Sequence, residues 1–484
     1  MDDIAQLRFS DGTLLLDGVS AEAIESMRGR VPWTWDPRVV SWRCDAIHYG
    51  TVERLLRGAG VSFEDHVRNW TQIEWPAVSL PELRPEQRRA VDAWLAVGRG
   101  QIIMPTGTGK TEVALAIMEH VQVGALVVAP VRDLMYQWHR RIQERLGYDS
   151  GIIGDNCHDV RPVSVTTYDS ACIHMERLGD KFGLLVFDES HHLPGPMRRD
   201  AALMSAAPFR LGLTATPERS DRRHLDLDWL VGPIAFRIEI PDARGKTLAD
   251  YEIVRIPVKL SVDEEARYKR NSNIVRDYIA RRREQEPDFS WQDLCADTAR
   301  DKDARRAMRA FHAKKSIENR AAEKLRVLED LFRLHADGPC IVFAGSNAMA
   351  RDISQRFLIP CLLSHCGKQE RLEVLRGLES GTYPALVANQ VLDEGVDLPT
   401  VKVAMVVGGT SSARQAKQRL GRILRKSGET RATLYEIVCE DTKEVDRSRT
   451  RRRSDAYKVR RRRDETSGKS GTRFRPPPEP PKQF

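Results

Sequence analysis

The sequence predicts an α/β protein: two tandem doubly wound parallel-sheet lobes, with a small N-terminal α/β module and a helical insertion. Two runs of strands and one charged stretch carry that prediction. From about 79 to 250, short apolar strands alternate with helical segments: GQIIM (100–104), GALVVAP (124–130), VSVTTY (163–168), LLVFD (184–188) and RLGLTAT (210–216). A second series runs from about 336 to 440: CIVFAG (340–345), PCLLSH (360–365), PALVAN (384–389), VAMVVGG (403–409) and ATLYEIV (432–438). Short, near-continuous Val/Ile/Leu runs are what a parallel sheet buried on both faces requires. Between the series, residues 263–332 are highly charged and helical in period, broken at Pro287. Two such lobes in one chain leave a cleft between them.

The elements divide the chain as follows. Residues 1–78 form the N-terminal module. LRFSDGTLLLDG places a turn signal, Asp11-Gly12, between two apolar segments and reads as a hairpin. AEAIESM and YGTVERLLRGAG are helical, and SWRCDAIHY is strand-like. The first lobe spans 79–255. A strand, IPVKLSV (256–262), and the helical insertion fill 256–332; the second lobe spans 333–440. The last stretch, 441–484, holds 15 Lys/Arg against 7 Asp/Glu and ends Pro-rich, so the whole net charge of +8 sits there. That composition reads as disordered, either a phosphate-holding arm or a solubilising end.

The totals exclude several classes. None of the eight cysteines forms C-x-x-C, and a chain of this size needs no staples, which suits a reduced setting. No apolar run approaches the ~20 residues of a membrane helix. The start, MDDIAQLRFSDG, lacks a basic region followed by an apolar stretch. A cytoplasmic protein is expected, nucleoid-associated if prokaryotic, with no membrane partner.

The chemistry concentrates at MPTGTGKT (104–111), between a strand and the helix EVALAIMEH. Met104 stands where the full phosphate-loop pattern has its first glycine, but Thr106, Gly107, Thr108, Gly109, Lys110 and Thr111 are intact. Glycines let the backbone N–H groups face phosphate oxygens, and the helix N-terminus adds its dipole. Lys110 reaches the β/γ-phosphates of ATP and Thr111 offers its hydroxyl to Mg²⁺. A second strand must bring a carboxylate to that ion. LLVFD does so with Asp188, and Glu189 follows to orient and deprotonate water.

With these residues in place, the chain resembles the superfamily 2 DExH-box helicases, which have RecA-like lobes. DESH is similar to their box and TGTGKT to their motif I. LRPEQRRAV resembles the Q-motif region, with Gln87 as reader of adenine. VVAPVRDLMYQW, LTATP, IVFAGSN, VLDEGVDLP and QRLGRILR resemble motifs Ia, III, IV, V and VI in order. The match covers about 80–440. GLTATPERSDRRHLDLDWLVGPIAF and RQAKQRLGRILR look like the XPB branch, and the N-terminal module, with WDPRVVSWRC, is similar to its damage-recognition-like domain. Where that branch carries Arg-Glu-Asp, this chain has Arg219-Ser220-Asp221, which puts strand-opening power in question. The insertion sits where the branch has a thumb.

The resemblance assigns further roles. Arg422 and Arg425, three apart on a predicted helix and so on one face, are arginine fingers, and Gln418 helps order the γ-phosphate and water. Gly395 supplies a tight turn and Asp397 contacts ribose or links to DNA. His191 relays the γ-phosphate toward Thr214 and Thr216, with Arg219 and Asp221 coupling it onward. Phosphate contacts to nucleic acid are expected from Pro130 and Arg132, Thr166 and Thr167, and Ser346 and Asn347. The implied activity is an ATP- and Mg²⁺-dependent 3′–5′ helicase or translocase on duplex or forked DNA, with a nuclease as possible partner. The alternatives are the motor of a restriction- or chromatin-type translocase, for which no nuclease motif is visible, and a non-catalytic scaffold with a vestigial ATP site. Intact Lys110, Asp188, Glu189, Arg422 and Arg425 argue against the scaffold. Trp33, Trp35 and Trp42 could stack on bases, although core packing suits them better. Cys361, His365 and Cys366 lack a fourth ligand at zinc spacing.

Overall fold

The computed structural model describes residues 4–219, 221–239, 242, 251–363, 365–389, 401–408 and 432–452. The N-terminal module is a five-stranded sheet: β1 (Ala5–Ser10), β2 (Thr13–Asp17), β3 (Thr34–Asp36), β4 (Ser41–Asp45) and β5 (Phe63–Asp65), in the order β3-β4-β2-β1-β5. The β1–β2 hairpin forms where Asp11-Gly12 signalled it. Both turn residues take positive φ, 48° and 77°, which matches the twist of the flanking strands. Helices Ala21–Met27 and Tyr49–Gly58 complete the module's core. Ala206 of the first lobe is buried in that core beside Leu7 and Leu14, so the module is docked on the lobe. Trp33 is in the core, whereas Trp35 is exposed and meets Trp42 edge-on with ring centroids 5.3 Å apart.

The first lobe's sheet holds β6 (Arg99–Ile103), β7 (Ala125–Ala129), β8 (Gly151–Gly154), β9 (Cys157–His158), β10 (Val163–Thr167), β11 (Leu184–Asp188), β12 (Phe209–Thr214) and β13 (Ile234–Arg237). Their order is β13-β6-β12-β11-β7-β10-β8-β9, parallel except for the β8–β9 hairpin. Every residue of β7 and β11 is buried, the reason these strands read as unbroken apolar runs. Register pairs Thr214 with Ile103 and Asp188 with Leu213. The carboxyl ends of β6, β11 and β12 therefore finish at one edge, where doubly wound sheets place ligands.

The second sheet is wholly parallel, in the order β14-β19-β18-β15-β17-β16, from β14 (Tyr251–Val258), β15 (Cys340–Ala344), β16 (Cys361–Leu362), β17 (Ala385–Ala388), β18 (Val403–Val407) and β19 (Ala432–Cys439). The strand expected at 256–262 runs earlier and belongs to this sheet, paired along its whole length with β19. It stops because Ser261 caps the next helix. Its hydroxyl accepts from Glu264 N–H at 3.3 Å, and the Glu264 carboxylate accepts from Ser261 N–H at 2.9 Å. The insertion is four helices, Val262–Gln285, Trp291–Asp297, Lys302–Asn319 and Ala322–Leu334, with Pro287 in the first turn between them.

The tail needs correcting. Expected as disorder from residue 441, it begins with a helix, Lys443–Arg452, in which Glu444 and Ser448 are fully buried. Charge composition suggested solvent. The charges instead find partners far away in sequence: Glu444 pairs with Lys324 and Arg447 with Glu318.

Candidate active site

The phosphate loop is shaped by two left-handed glycines, Gly107 at φ 86° and Gly109 at φ 84°, the latter capping helix Lys110–Val121. Only glycine fits at 109, since a Cβ there would lie 2.2 Å from Gln87 Nε2. Gln87, the expected reader of adenine, is hydrogen-bonded to the loop itself. Its Nε2 donates to the carbonyls of Thr108 (2.9 Å) and Gly109 (3.4 Å), and its Oε1 accepts from Arg84 N–H at 2.9 Å. The amide braces the loop. Beside it, a cavity of about 790 Å³ is lined by Arg84, Pro85, Arg89, Phe236, Arg237 and Ile238, with Arg89 stacked 5.7 Å over the Phe236 ring.

Within the loop, Thr108 Oγ1 donates to the Pro105 carbonyl at 2.7 Å, and the buried Thr106 hydroxyl has no hydrogen-bond partner. Lys110 Nζ donates to the Met104 carbonyl at 3.2 Å and lies 4.0 Å from Glu189 Oε1. Thr111 sits half-buried in the first turn of the helix. Met104 N–H donates to the Thr214 carbonyl at 3.0 Å, tying the loop to the end of β12.

Asp188 is held from two sides. Its Oδ2 accepts from Trp138 Nε1–H at 2.9 Å and its Oδ1 from Glu189 N–H at 3.0 Å, while Tyr168 O–H donates to its backbone carbonyl at 3.0 Å. Burial, and then the charge of Glu189, push the Asp188 carboxyl up to about 6. Glu189 goes the other way. Burial opposes its charge, but Lys110, His191 and His192 outweigh burial and hold it well below the usual carboxylate range. Its backbone is left-handed, φ 46° and ψ 54°, an uncommon conformation for glutamate that turns its side chain toward Lys110 and Thr214. Trp138 and Tyr168 were missed in the sequence. Trp138 shares an apolar helix face with Met135 and Ile142, and nothing in that pattern marks its N–H as a carboxylate's donor.

His191 is fully buried between the carboxylates and β12. Its Nδ1 lies 3.0 Å from Thr214 Oγ1 and 3.4 Å from Glu189 Oε2. Thr214 Oγ1 also accepts from Thr216 N–H at 3.1 Å. Arg219 Nη1 donates to the His191 carbonyl at 2.7 Å, and its other nitrogens grip Asp221 at 2.9 and 2.7 Å. Glu189, His191, Thr214, Thr216, Arg219 and Asp221 thus form one connected array. Ser220 lies outside the described residues. His192 packs against His191 and lies 3.3 Å from Arg198.

The six expected nucleic-acid contacts are placed unequally. Arg132 is exposed and pairs with Asp155 at 2.5 Å, close to the half-buried Pro130. Thr166 is corrected. It is fully buried and its hydroxyl donates to the Ile153 carbonyl at 2.7 Å, so it cannot meet a phosphate. Thr167 caps helix Tyr168–Leu178 by accepting from Ser170 N–H at 3.3 Å. Ser346 likewise caps helix Asn347–Phe357, and Asn347 Oδ1 accepts from Asn389 Nδ2–H at 2.8 Å. Gly395, Asp397, Gln418, Arg422 and Arg425 lie outside the described residues. Among the described residues, no group of three His, Cys, Asp or Glu side chains is disposed to hold a metal.

Comparison with known proteins agrees with this geometry. Residues 80–219 match the family model described as type III restriction enzyme, res subunit, and 323–427 match the helicase conserved C-terminal domain. Residues 7–67 match the xeroderma pigmentosum group B helicase damage recognition domain. The chain is 39% identical over 420 residues to the DNA 3′-5′ translocase XPB2 of Sulfurisphaera tokodaii, covering 86% of this chain and 95% of that one. It is 28% identical over 422 residues to the DNA 3′-5′ helicase XPB of Kineococcus radiotolerans, covering 84% and 69%. The fold is similar to that of the Pyrococcus furiosus Hef helicase domain, at a TM-score of 0.53 and 18% identity over 76% of this chain and 98% of that one. Taken with the phosphate loop, the carboxylate pair and the three matched domains, the identity to the archaeal translocase shows that this chain belongs to the XPB helicase family.

Proposed function

We propose that this chain is an ATP-dependent DNA translocase and helicase of 3′–5′ polarity, which moves on or opens duplex DNA. One observation carries the motor reading: the Lys110–Glu189 pair is joined through His191 and Thr214 to Arg219 and Asp221, outside the nucleotide site. The nucleic acid and the polarity follow from the relatives' names.

ATP binds with its phosphates on the N–H groups of residues 106–111, where Lys110 exchanges the Met104 carbonyl for phosphate oxygen. The base enters the cavity of Arg84, Arg89 and Phe236. Asp188 and Thr111 are the residues that would hold Mg²⁺. The site suits a hard divalent cation, because two adjacent carboxylates at low exposure face one lysine and the charge of Glu189 already pushes Asp188 up. When bound, Mg²⁺ supplies positive charge to the phosphates. Glu189, kept ionised by Lys110 and His191, orients the attacking water and takes its proton. His191 senses that change and passes it to Thr214 and, through its carbonyl, to Arg219.

From the second lobe, Arg422 and Arg425 neutralise the leaving phosphate, Gln418 orders the water, and Gly395 and Asp397 shape the ribose side. The lobe of the first sheet binds ATP, and the lobe of the second sheet closes over it. Pro130, Arg132, Thr167, Ser346 and Asn347 flank the DNA path, with Arg132 exchanging Asp155 for a phosphate. The protein works in the cytoplasm, on the nucleoid if its source is prokaryotic. A nuclease partner rests on family resemblance alone. A restriction-type motor is the second reading, favoured by the description matched over 80–219. Lys110→Ala tests the assignment: DNA-stimulated hydrolysis is lost while DNA binding survives. Native turnover in that variant would end it.

A further inference from the structure

Helix Pro85–Leu95 starts at the cavity beside the phosphate loop, and Glu86 is its second residue. Glu86 lines the cavity and is only 9% exposed. Its Oε1 is buried without a hydrogen-bond partner. The guanidiniums near it are engaged elsewhere. Arg89 lies 5.7 Å over the Phe236 ring, Arg88 pairs with Glu82 at 3.7 Å, and Arg237 pairs with Glu218 at 3.1 Å and Glu239 at 2.6 Å. The next residue, Gln87, ties this helix to the phosphate loop through the carbonyls of Thr108 and Gly109. The Glu86 carboxylate is therefore held in register with the loop that takes the phosphates.

The helix dipole favours an acid in the first turn, but a carboxylate standing in water gains that too. Withdrawing a carboxylate oxygen from water with no donor opposes folding, so the orphaned oxygen calls for a donor that a ligand supplies. The ligand of this cavity is the base of ATP. Adenine carries several acceptor nitrogens and one donor, its 6-amino group. An acceptor that reads adenine has to meet that group. Gln87 Oε1 already accepts from Arg84 N–H at 2.9 Å. Asp242 also lines the cavity, but it is exposed and water satisfies it. Glu86 is the buried acceptor at the cavity whose donor is missing. Phe236 and the Arg89 guanidinium add planar surfaces that suit a purine ring.

We propose that the Glu86 carboxylate accepts a hydrogen bond from the 6-amino group of adenine, and so makes this motor select 6-aminopurine triphosphates over purines that lack the amine. A 6-oxo base would set a second acceptor against the carboxylate with no proton between them. The inference rests on the ATP-driven motor and the base cavity proposed above.

The test is hydrolysis by the full chain with saturating duplex DNA, in the native protein, in Glu86→Leu and in the milder Glu86→Gln. The substrates are ATP and purine riboside triphosphate, which differs from ATP only in lacking the 6-amino group. The native chain should favour ATP in kcat/KM. Glu86→Leu should raise KM for ATP roughly ten- to hundredfold, the worth of a hydrogen bond to a charged group, and leave KM for the purine analogue in place. Glu86→Gln keeps an acceptor oxygen and should lose less, about three- to tenfold. An unchanged preference in both variants overturns the inference alone. So does a KM that rises equally for the two nucleotides, which would mean that Glu86 only shapes the helix and the loop. A native chain that does not distinguish the two overturns it as well. If Glu86→Leu does not fold, Glu86→Gln decides by the same comparison. A native chain that hydrolyses neither nucleotide overturns both the inference and the function it rests on.

Discussion

Asp188 and Glu189, at the edge of the first sheet, and Lys324 and Glu444, behind the edge of the second, are both charge pairs withdrawn from water, and the fold treats them in opposite ways. The first pair is of like sign. It is shared with one lysine 4.0 Å away, pushed apart in proton affinity, and carried on a left-handed glutamate backbone. The second is of opposite sign, doubly hydrogen-bonded and satisfied by a neighbouring N–H. An unbalanced pair is a binding site waiting for charge, whereas a balanced pair fixes one element against another. Buried charge alone therefore does not mark an active site; the residual imbalance does.

The comparison can be broken by removing charge from each side. Glu189→Gln should lower DNA-stimulated turnover by roughly 10²–10⁴-fold, the usual worth of a positioned base, with duplex binding intact by fluorescence anisotropy. A variant that keeps turnover would remove Glu189 from the reaction. On the other side, Lys324→Ala strands Glu444 and should cost about 3–5 kcal/mol in denaturant unfolding, where Lys324→Met/Glu444→Gln costs far less. Equal losses would mean that packing, and not charge balance, holds the cluster.

The pH dependence sharpens the first half. Asp188 is raised to about 6 in the folded chain, so it ionises only above that pH. If its charge is needed for the metal, kcat/KM for ATP should fall about tenfold per unit as pH drops below that value. The stability sign is the reverse. The native state takes up this proton more readily than the unfolded chain, so the stabilisation from Asp188 is full at low pH and is lost as pH rises through about 6. A flat kcat/KM profile between pH 5 and 7 would remove Asp188 from the metal site. Gln87→Ala should raise KM for ATP by roughly three- to tenfold through a loosened loop, the worth of a hydrogen bond or two, and leave kcat close to native. The smallest effect belongs to Asp155→Asn. Freeing Arg132 from an exposed ion pair should tighten duplex binding about two- to fivefold at low salt, and weaker binding would place Asp155 in the DNA path instead.

Much of this was legible in the sequence, for a physical reason. Parallel strands buried on both faces announce themselves as apolar runs, and a loop that must wrap phosphate needs glycine at 107 and 109 whatever surrounds it. The capping box at Ser261 and Glu264 was also there to be read and would have ended the 256–262 strand. What the sequence did not show depends on partners distant along the chain. Gln87 looks free until Gly109 folds over it. Thr166 looks like a free hydroxyl at a strand end until it donates to the Ile153 carbonyl of β8. The helix Lys443–Arg452 reads as a charged tail because Lys324, Glu318 and Tyr268 lie more than a hundred residues away.

The central claim is that the array from Lys110 to Asp221 belongs to a DNA-driven motor. The most direct measurement is the rate of ATP hydrolysis by the native chain with no nucleic acid, duplex DNA, single-stranded DNA and RNA side by side. The account predicts the fastest turnover with duplex DNA and a rate with RNA close to the unstimulated one; equal rates in all four, or a maximum with RNA, would contradict it.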